Sequence, residues 1–155
     1  MNLNIVLYQP EIPQNTGNIG RTCVLTNSKL HLIKPLGFTI DDKQLKRAGL
    51  DYWPKLQVVY YENFEEFFDK NKNNRIFLST TKAEKIYSEV KYEQGDFIMF
   101  GRESSGIPQY IRDLLKDTMI RVPMIEDSER SLNLSNTVSI VVYEALKQMG
   151  FPNMK

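Results

Sequence analysis

Three short stretches of the 155-residue chain carry more polar side chains and glycine than turns require, and their residue types suit an edge that faces a ligand. Pro13-Gln14-Asn15-Thr16-Gly17-Asn18-Ile19-Gly20-Arg21 follows an apolar run and opens a helical pattern. A strand, a turn and a helix start place backbone N–H groups and the Arg21 guanidinium at the carboxyl edge of a sheet, where α/β proteins bind ligands. A capped helix with a solvated Arg21 fits the same residues. Phe100-Gly101-Arg102-Glu103-Ser104-Ser105-Gly106-Ile107-Pro108 repeats the arrangement. Here Gly101 would let a ligand approach the backbone, Gly106 would supply an unusual dihedral, and Glu103 is an acceptor set among donors. A plain turn into a helix started by Pro108 is the alternative, but it needs neither Glu103 nor two flanking glycines. In Ser131-Leu132-Asn133-Leu134-Ser135-Asn136-Thr137 five side chains able to cap a helix crowd one helix start, where one would suffice. The surplus points to a ligand-facing edge, although such crowding also occurs at ordinary helix starts.

The elements that must position these stretches alternate from end to end, as expected of βα units around a mostly parallel sheet. Six strands are expected at Leu3–Tyr8, Lys29–Ile33, Leu56–Tyr61, Arg75–Ser79, Asp96–Phe100 and Met119–Val122. Most are continuously apolar, which suits strands covered on both faces. Helices are expected at Asn15–Thr26, Asp42–Ala48, Phe64–Lys70, Pro108–Leu115 and Leu134–Met149. The last places Leu134, Val138, Val141, Val142, Ala145 and Met149 on one face and is ended by Gly150 and Pro152. Between the sixth strand and that helix, Pro123 to Leu132 is longer and more polar than a tight connection needs.

Several chemistries are excluded. Cys23 is the one cysteine and His31 the one histidine, so neither an internal disulfide nor a His/Cys zinc cluster can be built, and no metal is expected. Cys23 lies inside the first helix pattern beside Val24 and Leu25, as a core thiol would; His31 sits mid-strand in Leu30-His31-Leu32-Ile33, as a packed or edge histidine. A Ser–His–Asp triad would have to use that histidine. The Gly101–Gly106 loop lacks the Lys-Ser/Thr ending of a Walker loop, and Gly17 with Gly20 makes only G-x-x-G, not a dinucleotide fingerprint. Twenty Lys and Arg against 19 Asp and Glu give a net charge of +1, which rules out a basic tail but not a local patch. Met1-Asn2-Leu3-Asn4 has no charged leader and no window reaches ~18 apolar residues, so a single-domain cytoplasmic protein spanning 1–155 is expected.

Taken in order, Pro13–Arg21, Phe100–Pro108 and Ser131–Lys147 resemble the three motifs of the SPOUT class of RNA methyltransferases. The opening Asn4-Ile5-Val6-Leu7-Tyr8-Gln9-Pro10-Glu11-Ile12-Pro13, the segment Arg47-Ala48-Gly49-Leu50-Asp51-Tyr52 and the ending Asn133–Gln148 are similar to the small single-domain members that 2′-O-methylate the wobble nucleotide of tRNA. The resemblance covers almost the whole chain. It implies an α/β trefoil-knotted fold with a mostly parallel six-stranded sheet. It also implies S-adenosyl-L-methionine as methyl donor, S-adenosyl-L-homocysteine as product, cytidine 34 or a modified uridine 34 of tRNA as acceptor, and a homodimer. The donor would lie among Ser79-Thr80-Thr81, the Gly101–Gly106 loop and Pro123–Leu132, with contacts at Ser79, Gly101, Val122, Ser131 and Leu132. At Ser79 relatives often have an apolar residue, and at Arg102 they often have proline.

In the same family the first-motif arginine, here Arg21, assists transfer by organising a substrate phosphate, a task suited to a rigid, permanently charged fork. Glu103, Ser131 and Asn133 match the motif positions that shape the active site, with Glu103 and Asn133 joining Arg21 as the catalytic set. Lys43, Lys46 and Arg47 occupy one face of an expected helix and with Arg21 would contact tRNA; an ordinary solvated basic face is the alternative. A 2′-O-methyltransferase acting elsewhere in tRNA or rRNA, and a non-catalytic RNA-binding module, remain as other readings. Intact Arg21, Glu103, Ser131 and Asn133 argue against the last.

Overall fold

Apolar runs with few charges form strands that are buried on both faces when helices pack above and below them. The computed structural model describes residues 1–40, 43, 47 and 52–155 and has this architecture. The strands are β1 (Asn4–Tyr8), β2 (Lys29–Ile33), β3 (Val58–Tyr61), β4 (Ile76–Ser79), β5 (Phe97–Phe100) and β6 (Met119–Ile120). They form one sheet in the order β3-β2-β1-β5-β4-β6, with every pairing parallel. The helices are α1 (Pro13–Leu25), α2 (Phe64–Asn71), α3 (Gln109–Leu114) and α4 (Leu134–Gln148).

Side chains alternate across the pleat. Ile5, Leu7, Ile98 and Phe100 enter a core with Ile19 and Cys23 of α1 and Val138, Val141, Val142, Ala145 and Leu146 of α4. Val6, Tyr8, Phe97 and Met99 enter a second core with Phe64 and Phe67 of α2 and Ile111 of α3. The apolar stripe of α4 therefore serves the interior of its own chain. Cys23 is fully buried, and desolvation pushes its thiol pKa well up, as befits a packed thiol. His31, only 3% exposed, is also packed. Its Nε2–H donates to Asn4 Oδ1 at 2.9 Å, and Nδ1 accepts from the Tyr61 hydroxyl at 2.8 Å.

The expected elements are present, with their ends moved for identifiable reasons. Strand β6 stops at Ile120, not Val122, because Arg121 leaves β4 and pairs with another segment: its N–H donates to Lys85 O and its carbonyl accepts from the Tyr87 N–H, both at 2.8 Å. Strand β3 starts at Val58, not Leu56, because Trp53–Lys55 form a 3₁₀ turn just before it. Helix α1 starts two residues early, at Pro13, since proline lacks the N–H that a first helical residue leaves unbonded. The expected helix at Asp42–Ala48 lies outside the described residues except for Lys43 and Arg47, both helical and exposed. No helix among the described residues is long and apolar enough to cross a membrane.

Register decides where the site lies. Leu7 pairs with Phe100, Ser79 with Phe100, and Ser79 with Ile120, so β1, β5, β4 and β6 end at one edge. The connections diverge between β1 and β5, the kind of switch point at which open α/β sheets bind ligands. The residues that follow these strands are those of the three polar stretches and of Ser79–Thr81.

Candidate active site

The loop after β5 is pinched shut. Arg102 N–H donates to Gly106 O at 3.2 Å and Gly106 N–H returns to Arg102 O at 3.0 Å. Gly101 permits this closure, because a Cβ there would lie 2.7 Å from the Gly106 carbonyl carbon and 2.9 Å from its Cα. Glycine is thus required first by the loop's own packing. At Gly106 a φ of 64° supplies the expected unusual dihedral. Arg102 braces the pinch: its Nε–H donates to Gly106 O at 3.1 Å, Nη1 donates to Gln9 Oε1 at 3.3 Å, and its guanidinium lies 5.2 Å above the Tyr8 ring. The arginine that stands where relatives often have proline stiffens the loop by contacts rather than by a ring.

The pinched loop is fastened to the start of α1 by two carboxylates pointing in opposite directions. Glu103 accepts from the backbone N–H groups of Glu11 at 2.9 Å and Ile12 at 2.8 Å, and from Asn15 Nδ2 at 3.3 Å. Glu11 accepts in return from the Ser104 N–H at 2.9 Å and the Ser104 hydroxyl at 2.8 Å. Those two bonds hold the Glu11 carboxyl below the ordinary carboxylate range. Glu103 therefore occupies the N–H groups of Glu11 and Ile12, just ahead of the stretch read from sequence as a ligand-facing edge, and one side chain, Asn15, within it. The helix start is capped by a side chain 91 residues away in sequence, since Ile12 at its N-cap has none to offer.

Asn133 continues the connection. Its Oδ1 accepts from the N–H groups of Ser135 and Asn136, capping α4, while its Nδ2 donates to Asn15 Oδ1 at 3.0 Å. Asn15, only 5% exposed, thus links Glu103 to Asn133 and ties all three polar stretches together. It lay inside the first stretch but had no assigned task; the one available signal was an amide, which both donates and accepts, next to a helix start. The crowd of capping residues is also resolved. Asn133 is the cap, the Ser135 hydroxyl donates to it at 2.6 Å, and the Thr137 hydroxyl donates to Asn133 O at 3.1 Å.

A cavity of about 310 Å³ opens beside this framework, within the size range of small-molecule sites. Ser79, Gly101, Val122, Ser131 and Leu132, the five expected donor contacts, all line it, and so does Glu103. Its walls pair apolar surface from Phe100, Ile107 and Met124 with the hydroxyls of Thr80, Thr81 and Thr137. That mixture suits a flat heteroaromatic ring joined to a sugar and a polar tail. Arg21 does not line the cavity: it is exposed on α1, six residues or roughly 9 Å along the axis from Asn15. Its guanidinium carbon lies over the Tyr52 ring, 4.9 Å from the centroid. Lys43 and Arg47 are exposed and away from the cavity, and Lys46 lies outside the described residues. Among the described residues no cluster of three or more His, Cys, Asp or Glu side chains could hold a metal.

The family model described as "SpoU rRNA Methylase family" matches residues 2–143. The chain belongs to this family. Among its relatives, the tRNA (cytidine(34)-2′-O)-methyltransferase of Escherichia coli K12 is 51% identical over 151 residues, covering 97% of this chain and 96% of its own. A solved structure from work on the 2-OH methylation of C/U34 on tRNA superposes with a TM-score of 0.90 at 40% identity, covering 96% of both chains. The SpoU methyltransferase AviRb of Streptomyces viridochromogenes, solved with the cofactor AdoMet, shares the fold at a TM-score of 0.86 and 20% identity, over 99% of this chain and 59% of its own. The SpoU family fold is thus the six-stranded parallel sheet described above, with the cavity at its switch point.

Proposed function

We propose that this protein is a methyltransferase that moves a methyl group from S-adenosyl-L-methionine to the ribose 2′-hydroxyl of nucleotide 34 in tRNA. The observation that carries the reading is the 51% identity, over nearly the full length of both chains, to a relative named for that reaction. The cavity supports it, because all five residues expected to contact the donor line one space. Bound there, the donor supplies a sulfonium-activated methyl group.

The chain's own residues hold and align. Transfer to a hydroxyl is an in-line displacement at the sulfonium methyl, so the oxygen must be aligned and its proton removed as the thioether leaves. Glu103 has both oxygens engaged by three donors and Asn133 has its amide engaged on both sides, so we assign them to positioning: they fix the donor loop against α1 and α4. Ser131 is exposed and lines the cavity, where its hydroxyl is available to the donor. Arg21 is the catalytic residue. Its guanidinium organises a substrate phosphate beside the reacting ribose and stays charged throughout. Lys43, Lys46 and Arg47 extend the tRNA contact. Because Arg21 stands on α1 outside the cavity of its own chain, the active form is a homodimer. Exposed Ile12, Leu25 and Tyr143 on α1, its approach and α4 offer the apolar contact area. The carboxyl-terminal segment threads a loop to form the trefoil knot of the family fold, with 123–132 among the knotted loops, and the enzyme works in the cytoplasm.

Incubation with methyl-labelled S-adenosyl-L-methionine and unmodified tRNA, followed by nuclease mapping, tests the reading. Label on the ribose of nucleotide 34 is expected. Label only at another tRNA position or in ribosomal RNA refutes the acceptor, and binding of tRNA without label refutes the reaction.

A further inference from the structure

Arg21 is a long side chain on an exposed helix face, free in principle to sample many rotamers, yet the structure gives it a fixed companion. Two consecutive residues of one segment sit on two consecutive residues of α1. The Trp53 ring lies over Gly20, where a Cβ would come within 3.1 Å of Trp53 Cζ3 and 3.0 Å of Leu56 Cδ2. One residue earlier, the Tyr52 ring lies 4.9 Å from the Arg21 guanidinium. The 3₁₀ turn Trp53–Lys55 rigidifies the pair, with the Lys55 N–H donating to Tyr52 O at 2.9 Å and the Leu56 N–H to Trp53 O at 3.0 Å. Trp53 and Leu56 are themselves packed on the core shared by α1 and α4.

We infer that Tyr52 is a positioning residue for methyl transfer: its ring holds the Arg21 guanidinium by its planar face and leaves the in-plane N–H donors directed outward to a phosphodiester of the RNA. An aromatic face suits this task better than a carboxylate. A carboxylate would take the same fork of donors that a phosphate needs, whereas a ring attracts the cation through its quadrupole and leaves those donors open. Gly20 then has a defined part, since a Cβ there would press on Leu56 and Trp53 at 3.0–3.1 Å and push Trp53, with Tyr52 beside it, off its seat on α1. The inference rests on the catalytic assignment of Arg21 above.

The test uses full-length enzyme, tRNA and labelled donor, read as single-turnover rate alongside donor affinity and melting temperature. Tyr52→Phe keeps the ring and is expected to hold the rate within about twofold, while Tyr52→Leu lowers it about 3- to 30-fold, the span of a cation–π contact. Donor affinity and melting temperature stay at the parent values in both. Gly20→Ala, which touches neither partner, is expected to reproduce the Tyr52→Leu loss. In an Arg21→Ala background, whose residual rate is followed over long incubation, Tyr52→Leu has no further effect. An unchanged rate in Tyr52→Leu overturns the inference, as does a Phe variant as damaged as the Leu variant. A full additional loss in the Arg21→Ala background also overturns it, because the ring would then act on the RNA directly. If Arg21→Ala alone keeps the parent rate, the catalytic assignment of Arg21 fails instead.

Discussion

Glu103→Gln and Glu103→Ala test whether the carboxylate is a fastening or a ligand contact. Glu103 accepts one part-buried backbone bond from Glu11, one exposed backbone bond from Ile12 and a longer one from Asn15. A hydrogen bond to a charged acceptor contributes about 1.5–3 kcal/mol; the exposed one counts for less because water replaces it. The carboxylate at the N-terminus of α1 adds ~0.3–1 kcal/mol through the helix dipole. Removal by Ala should therefore cost about 3 kcal/mol. Gln, which keeps the volume and one acceptor oxygen but turns an amide toward N–H groups, should cost about 2 kcal/mol. At about 2–4 °C per kcal/mol for a chain of this size, the Ala variant should melt roughly 6–12 °C lower. Urea and thermal unfolding at one fixed protein concentration measure this, since association would otherwise shift the midpoint. Donor affinity by calorimetry should fall with stability, because the same loop walls the cavity. A melting shift under 1 °C would refute the fastening, and lost donor affinity at parental stability would make Glu103 a direct ligand contact.

Gly101→Ala forces a Cβ to 2.7 Å from backbone, so the pinch must open; donor affinity should drop at least tenfold, and parental affinity would show that the pinch does not shape the cavity. His31 has its pKa lowered from 6.5 to about 4 by burial first and Lys29 second, so the unfolded chain takes up its proton before the folded one. Stability should thus fall as pH drops from about 6.5 to about 4, by ~1.4 kcal/mol per pH unit and about 3 kcal/mol in all. Urea unfolding of His31→Gln across that window should show a correspondingly flatter slope, and an unchanged slope would clear His31 of the effect. Neutralising Lys43 and Arg47 together should weaken tRNA binding and reduce its logarithmic salt slope by roughly 2, with no change in donor affinity; an unchanged slope would remove both from the RNA contact.

Much of this was legible in the residues. The strand centres were readable because burial on both faces leaves continuous apolar runs, and α4 because its stripe keeps one period for fifteen residues. The five cavity-lining residues followed from motif likeness alone. What sequence did not reveal was who satisfies whom. A linear reading gives the N–H groups of Glu11 and Ile12 no partner, and only tertiary structure brings Glu103 onto them. Asn15 was invisible as a link for the same reason, since its partners lie 88 and 118 residues away. Arg102 could be seen as a departure, but the direction of its side chain depends on Tyr8 and Gln9, which arrive from β1. The strand ends moved where a local turn or a competing backbone partner, as at Arg121, outweighed side-chain pattern.

The chain of amides from Glu103 through Asn15 to Asn133 also bears on the order of biosynthesis. The first polar stretch leaves the ribosome early, but its donors find their acceptor only when residue 103 has emerged, and that linkage gains its second anchor only with residue 133. Closing such long loops is slow compared with forming local helices. A nascent chain shorter than about 135 residues, or any amino-terminal fragment of that kind, would carry Arg21 and most of the sheet without a finished cavity. A finished cavity framework is thereby withheld until the start of the last helix has taken its place.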